Sequence, residues 1–254
     1  VAERRVIDVS APCFMHDFAM TENHVIFFDT PAVMVRGWGG GGLPFRWQEG
    51  RGTRIGVVPR QGGAARWFDV PPCQFIHTAN AFEQGGRVVV DGTRNDRFLA
   101  DMAADPPALY RWEIDLARGA VTAGALSRQS VEFPRVDERR NGRPYRYAYT
   151  VEYRDVGPGG LPGGCLLRRF DVEAGTSVAK DFGARYVPGE PVFVPRSADA
   201  AEGDGWVLAL RYDREMDRSD LVVLDAHEFV GDPVAVVQLP RRVPCGFHGS
   251  WVAD

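Results

Sequence analysis

Short apolar runs separated by turn residues make up most of this chain, and 29 glycines and 18 prolines divide them from one another. Most of the runs are rich in β-branched and aromatic residues and end in turn residues, a pattern typical of β-strands. No long amphipathic helix is indicated, and only "RFLADMAADPP" suggests a short helical turn. The pattern therefore predicts an all-β protein. Its clearest strand candidates are "NHVIFFDT", "TRIGVVPR", "GRVVVDGTR", "RYAYTVEYRD", "GWVLALRYD" and "DLVVLDA".

A weak repeat runs through these strands. The phrases "YRWEIDLARG" and "LRRFDVEAG" each end a strand in an aspartate, Asp115 and Asp171, and then turn to glycine, while Asp225 holds a similar place in "LVVLDAHEF". The earlier "RWFDV" (66–70) resembles them. A spacing of roughly 50 residues with several short strands in each unit favours the blades of a β-propeller. The repeat by itself leaves a β-sandwich or a β-barrel open.

Three of the five histidines share one sequence context. His16, His77 and His248 each follow a cysteine and an aromatic residue, and each precedes small or polar residues. Their separations are close to one and to three repeat units, so in a propeller they would meet at the hub. Converging neutral imidazoles would form a site for iron, zinc or copper. A hydrogen-bonded core position remains an equal alternative for each of them. His24 and His227 are predicted to be ordinary residues outside any metal site.

Composition limits the classes of partner. A hydrophobic content of 44%, a charged content of 25% and a net charge of −4 are those of a soluble globular protein. No basic stretch with interleaved aromatic residues predicts nucleic-acid binding, and no apolar run is long enough for a membrane span. We expect a cytoplasmic protein, with peripheral association at membranes as an alternative. The cysteines contain no CxxC pair and are predicted to be reduced thiols; they are Cys13, Cys73, Cys165 and Cys245.

Six blocks of the sequence resemble the carotenoid cleavage oxygenases. This family includes the retinal pigment epithelial membrane protein and bacterial dioxygenases that cleave apocarotenoids or stilbenes. The blocks follow the family's order and cover nearly the whole chain. They are "MHDFAMTENHVIFFDTP" (15–31), "RIGVVPR" (54–60), "WFDVPPCQFIHTANAFEQGGRVVVDGTR" (67–94), "VEFPRVDERRNGRPYRYAY" (131–149), "PGEPVFVPR" (188–196) and "VPCGFHGSWV" (243–252).

The resemblance implies a seven-bladed β-propeller that holds one non-haem Fe(II) on its axis through four histidines. Matched motif by motif, the ligands in this chain would be His16 of "HDF", His77 of "FIHTANAFE" and His248 of "GFHG". Glu132 of "EFP" and Glu190 of "GEPVF" would hydrogen-bond to ligands, which fixes the tautomer and raises the basicity of an imidazole. The apolar neighbours of both glutamates favour burial with a partner over a surface position.

The reaction implied by the resemblance is oxidative cleavage of a carbon–carbon double bond by O2, which gives two carbonyl products. An apolar apocarotenoid or carotenoid is the predicted substrate, and a stilbene is the alternative. No catalytic residue beyond the metal centre is predicted. Phe247 and Gly249 would bracket the last ligand, the glycine by letting the backbone pass close to the axis and the aromatic ring by keeping the metal dry.

The chain departs from the family in length. Family members are roughly twice as long, their first histidine ligand lies upstream of the "HDF" block, and no histidine precedes His16 here. We therefore expect residues 1–254 to form about the C-terminal four blades. The rest could be supplied by another polypeptide, or the chain could be a fragment or the product of a truncated gene. A non-catalytic binding module is the remaining alternative function.

Overall fold

The computed structural model describes residues 4–40, 42–98, 105–156, 162–244 and 248–253. Strands dominate these residues, and the one helix among them is the short 3-10 turn Glu138–Arg140. The all-β prediction is confirmed, and all six of the clearest strand candidates are strands. Most of the suggested helical turn at 97–107 lies outside the described residues. The described part of the chain contains no helix long and apolar enough to cross a membrane.

Four antiparallel sheets follow one another along the chain, and all but the first are built from consecutive strands. The first sheet contains β1 (Ala19–Met20), β2 (His24–Asp29), β5 (Thr53–Pro59) and β6 (Arg66–Val70). Between β2 and β5 the chain forms a separate ribbon of β3 (Ala32–Met34) and β4 (Phe45–Trp47). The second sheet contains β7 (Gln74–Gln84), β8 (Arg87–Asn95), β9 (Ala108–Asp115) and β10 (Ala120–Ala125).

The third and fourth sheets repeat this plan. The third contains β11 (Val131–Val136), β12 (Tyr147–Val156), β13 (Pro162–Asp171) and β14 (Thr176–Lys180). The fourth contains β15 (Tyr186–Pro188), β16 (Val192–Pro195), β17 (Gly205–Asp213), β18 (Arg218–Asp225) and β19 (Ala235–Gln238). Both β15 and β16 pair with β17, so together they take the place of a first strand.

The hydrophobic core is divided into layers that lie between consecutive sheets. Strand β8 shows why, because its side chains alternate between two faces. Val88 and Val90 are buried in the layer shared with the first sheet, whereas Val89 is buried in the layer shared with the third. Both faces of β8 are therefore covered. This explains why its sequence is a continuous apolar run rather than an alternating one.

The first strands of the sheets lie together along one edge. Strand β1 contacts β7, β7 contacts β11, and β11 contacts β16. Each of these strands belongs to a different sheet, so the sheets meet at a shared edge, which we call the inner edge. Residues on the first strands can therefore converge although they are far apart in sequence.

The aspartate repeat marks equivalent positions in three sheets. Asp115, Asp171 and Asp225 each end the third strand of a sheet, and each carboxylate accepts hydrogen bonds from backbone N–H groups of the turn that follows. This part of the repeat is confirmed. The assignment of "RWFDV" to the same position is wrong, because it forms β6, the fourth strand of its sheet. It shares the strand pattern but not the turn.

Candidate metal centre

The structure brings His16, His77 and His248 together at the inner edge. His16 lies just before β1, His77 lies in β7, and His248 follows β19. One ring nitrogen of each lies within 4.8 Å of a ring nitrogen of the other two. The ring centroids are 5.0 Å apart for His16 and His77 and 4.9 Å apart for His77 and His248. The convergence predicted from the sequence is thus present.

A local irregularity of β7 positions His77. The pairing of β7 with β8 shifts register on both sides of Thr78, next to His77. Such bulges redirect side chains at the point where they occur. Gly92 of β8 lies opposite Thr78, and a Cβ atom there would stand 2.8 Å from the carbonyl oxygen of His77. Only glycine fits this approach of the two backbones without displacement of the histidine.

Glu132 of β11 fixes the orientation of the His77 ring. Its Oε2 atom lies 2.5 Å from His77 Nδ1 and also accepts a hydrogen bond from the N–H of Phe133 at 2.7 Å. Its Oε1 atom accepts from the hydroxyl of Thr93 at 2.8 Å. Because a carboxylate only accepts, Nδ1 of His77 carries the proton and Nε2 presents its lone pair.

That lone pair is the clearest sign of a missing ligand partner. Nε2 of His77 is buried and has no hydrogen-bond partner among the described residues. A buried polar atom without a partner is costly unless an ion or a molecule satisfies it. The nearby nitrogens of His16 and His248 complete a donor set of three imidazoles, which suits iron, zinc, copper and nickel. The residues therefore fit a bound transition metal.

The three imidazoles are not electrostatically equivalent. Burial alone would lower the pKa of His77, but the hydrogen bond to Glu132 and the negative charges of nearby carboxylates together outweigh it, so the pKa lies above the ordinary value. Burial and the neighbouring His77 instead hold the pKa of His16 below its ordinary value. His16 therefore favours the neutral form that a metal ligand needs.

Glu190 plays a similar part beside His248. It lies between β15 and β16, its side chain is only 5% exposed, and its Oε1 atom is 3.1 Å from His248 Nδ1. Its Oε2 atom accepts hydrogen bonds from the N–H of Gly249 at 2.7 Å and from Nη1 of Arg135 at 2.9 Å. Both glutamates singled out in the sequence thus contact a histidine of the cluster.

His16 is held differently. No hydrogen bond reaches its ring from the described residues, and the ring stacks on Phe14 at 5.5 Å between centroids. The next residue, Asp17, accepts hydrogen bonds from the N–H and the hydroxyl of Thr78, at 2.8 and 2.7 Å. Asp17 therefore attaches the segment of His16 to β7, directly beside His77. The "HDF" block contained this signal, and sequence reasoning missed it.

Phe133 is another contributor that sequence reasoning missed. Its φ of 54° lies in the left-handed region, which is unusual for a bulky residue, and β11 shifts register between Glu132 and Arg135. Its ring lies 5.2 Å from that of His77 and 5.8 Å from that of His248. The distorted backbone thus presents an aromatic wall to two imidazoles.

The cluster borders a cavity of about 610 Å³. Apolar side chains, including Phe18, Met20 and Phe133, form part of its lining. Polar groups such as Arg60 and Asn141 form another part. A cavity with this lining and this volume is within the range of small-molecule sites.

The remaining two histidines lie outside the cluster. His24 Nδ1 is 3.0 Å from Glu83, and His227 is exposed in the turn after β18.

The steric role expected for Gly249 is wrong, because a Cβ atom there would meet only Val192, at an ordinary contact distance of 3.8 Å. The expectation for Phe247 lies outside the described residues. Of the cysteines, Cys245 also lies there, and the other three are free thiols.

Three imidazoles define a candidate mononuclear metal centre in an all-β protein, and two of them contact buried carboxylates through Nδ1. The family described as retinal pigment epithelial membrane protein matches residues 1–253. The chain belongs to this family, that of the carotenoid cleavage oxygenases.

Relatives and solved structures agree with this assignment. The carotenoid cleavage oxygenase of Mycobacterium tuberculosis is 33% identical over 98% of this chain and 60% of its own length. The apocarotenoid-15,15'-oxygenase of Synechocystis is 34% identical over 94% of this chain and 51% of its own length.

Two solved structures match the fold over most of this chain. Cobalt-substituted Synechocystis apocarotenoid oxygenase superposes with a TM-score of 0.86 at 31% identity, over 95% of this chain and 53% of that one. The lignostilbene dioxygenase of Pseudomonas brassicacearum gives a TM-score of 0.87 at 33% identity, over 95% and 55%. The chain thus spans about half the length of the relatives that it matches.

Proposed function

We propose that His16, His77 and His248 are three ligands of an iron(II) centre and that Glu132 and Glu190 orient two of them. The observation that carries this proposal is the buried Nε2 of His77, which lacks a partner and lies beside the other two imidazoles. A solved structure that this chain matches is a cobalt-substituted family member, and this supports a transition metal as the ligand of the cluster.

The polypeptide that carries this chain would use the centre to cleave a carbon–carbon double bond of an apocarotenoid or carotenoid with O2, giving two carbonyl products. Bound iron would supply the binding and activation of O2. The names of the M. tuberculosis and Synechocystis relatives support this reaction. In this chain, Phe18 and Met20 would contact the apolar substrate, while Phe14 and Phe133 would keep water away from the imidazoles.

The four sheets would correspond to about four blades in the C-terminal part of a seven-bladed propeller. Their shared inner edge supports this arrangement, since blades of a propeller meet along the axis. A fourth histidine and the remaining walls of the substrate site would come from the rest of the propeller, in the same polypeptide or in another. Residues 1–254 would then form one unit of that larger domain.

Stilbene cleavage is the second candidate. It is favoured by the lignostilbene dioxygenases of Pseudomonas brassicacearum and Sphingomonas paucimobilis, which match this chain about as well as the apocarotenoid enzyme does. A non-catalytic binding module is a third, and iron content separates it from the other two.

The test begins with the iron content of the purified protein and continues with product analysis. We expect near-stoichiometric iron after Fe(II) is supplied to the chain joined or mixed with the N-terminal half of a family member. Fe(II), O2 and either an apocarotenal or a hydroxystilbene should then yield paired carbonyl products.

We expect the 254-residue chain alone to be a poor catalyst, because three ligands and part of a cavity cannot hold a long polyene over the metal. Rapid cleavage by the chain alone would contradict the need for the other half. Absence of iron from the reconstituted protein would contradict the proposed centre.

A further inference from the structure

The segment that carries His248 is attached in an unusual way. Residues 248–253 belong to no strand, and no backbone–backbone hydrogen bond ties them to another described residue. The His248 side chain is 48% exposed, whereas that of His77 is only 12% exposed. Strand pairing positions His77, so something else must position His248.

Glu190 and Arg135 provide that attachment. Glu190 accepts the N–H of Gly249 through Oε2 and faces His248 Nδ1 through Oε1. Nη1 of Arg135 donates to the carbonyl oxygen of Gly249 at 2.7 Å and to Oε2 of Glu190 at 2.9 Å. The N–H and the carbonyl group of one residue are thus both bound by side chains. This replaces the ladder that a neighbouring strand would have supplied.

The chemistry of arginine suits this position. A guanidinium group offers five N–H donors in a fixed plane, so it can bind several acceptors at once. Here Nη1 serves Glu190 and Gly249, while Nη2 donates to Glu138 at 2.6 Å. Glu190 is 5% exposed, and without Arg135 its buried charge would lose its cationic partner. The carboxylate would then no longer be fixed toward His248.

We propose that Arg135 is a positioning residue of the metal centre, which places His248 at the metal by fixing Glu190 and the backbone of Gly249. This inference rests on the proposed metal centre for its consequence in metal affinity. The attachment of the C-terminal segment by Arg135 does not depend on a metal.

The first arm of the test uses the polypeptide that carries this chain, after a chelator has removed any bound metal. Hydrogen–deuterium exchange of the Gly249 amide should be at least about 10-fold faster in Arg135→Gln than in the wild type, because Glu190, which accepts that N–H, is no longer held in place by Arg135. Arg87→Gln is the matched control, since Arg87 pairs with Glu113 at the surface, away from the site. Unchanged exchange in Arg135→Gln would overturn the proposal. If that variant does not fold, Arg135→Lys takes its place. Lysine keeps the positive charge, but its ammonium group lacks the planar set of N–H donors with which arginine binds several acceptors.

The second arm measures Co(II) affinity in a double-mutant cycle. Arg135→Gln should weaken binding about 10-fold, as the loss of an outer partner of a ligand typically does. The effect should vanish in a His248→Ala background and persist in a His16→Ala background, since Arg135 acts through His248. Equal weakening in both backgrounds would indicate a merely structural role and overturn the proposal. If the wild type failed to bind Co(II), the proposed metal centre would be wrong, and the exchange measurement would still decide the role of Arg135 in attachment.

Discussion

At the scale of single residues, the two carboxylates decide how the imidazoles can act. Glu132 makes three hydrogen bonds, to His77, Thr93 and the backbone of Phe133, and is nearly buried. It therefore has no freedom to turn away from His77. The consequence is a histidine with one tautomer and one ring orientation, which is what a metal ligand requires.

Substitution of Glu132 by glutamine should therefore weaken metal retention more than it affects folding. Glutamine keeps the shape and can still accept the hydrogen bond from Thr93, but it brings no negative charge to His77. We expect a loss of Co(II) affinity of about 10- to 100-fold, measured by competition with a chelator, and an unchanged circular dichroism spectrum. Glu113→Gln, on the surface pair with Arg87, is the control and should bind as the wild type does. Wild-type affinity in Glu132→Gln would remove Glu132 from the centre.

At the scale of the elements, the irregular stretch of β7 matters more than the regular part. The bulge beside Thr78 brings the carbonyl group of His77 close to Gly92 of β8. This contact is between two backbones, so no side-chain rotation can relieve an added atom there. The two strands are regular on both sides of the bulge, so the distortion is local to His77.

Gly92→Ala should accordingly destabilise the protein and disturb the site. The added methyl group would meet the carbonyl oxygen of His77 at 2.8 Å, and overpacking of this kind typically costs about 1–3 kcal/mol. Urea unfolding would show the loss of stability, and a Co(II) titration would show weaker binding. Gly124→Ala is a matched control within β10, because a Cβ atom there has no neighbour within 4 Å. Equal stability of the two variants would show that the bulge relaxes without cost.

At the scale of the whole molecule, polar contacts as well as apolar layers join the sheets. Glu83 of β7 accepts hydrogen bonds from Thr21, Asn23 and His24, which lie at the turn from β1 to β2. Its partial burial alone would raise the pKa, but these hydrogen bonds outweigh it and lower the pKa to about 2. The first and second sheets are thus joined by a carboxylate that must stay ionised.

This junction predicts a fall in stability in acid. A carboxylate with a depressed pKa in the folded state stabilises the protein above its unfolded pKa, roughly 4.3, and loses that contribution as the pH falls toward 2. The free energy of unfolding should therefore decrease between about pH 5 and pH 2. In Glu83→Gln the decrease should be smaller by on the order of 1 kcal/mol, after allowance for solvent screening.

The matched control for this prediction is Glu22→Gln, since the Glu22 side chain lies exposed on the same turn. Its unfolding profile should follow that of the wild type across the acid range. An identical profile in Glu83→Gln would show that the depressed pKa does not contribute to stability.

Much of this architecture was accessible from the sequence. The six clearest strand candidates are strands because an apolar, β-branched run between turn residues carries its own structural preference. The aspartates at 115, 171 and 225 marked equivalent turns, since each caps the turn within a few residues of itself. The histidines of the candidate site could also be predicted, because similar residues flank His16, His77 and His248 in the sequence.

Only the tertiary structure decided how these parts act together. The sequence could not show that close packing at the site requires a glycine at position 92 rather than at 249, because the bulge in β7 sets the contact of Gly92 with His77. Nor could it show that Arg135 binds Gly249, because the two are separated by more than a hundred positions and meet only when the inner edges of the sheets do. Local preference determines strands and turns, whereas the convergence of side chains depends on contacts between distant segments. The sequence therefore determined the strands and the donor groups of this protein, and the packing of the sheets decided their geometry.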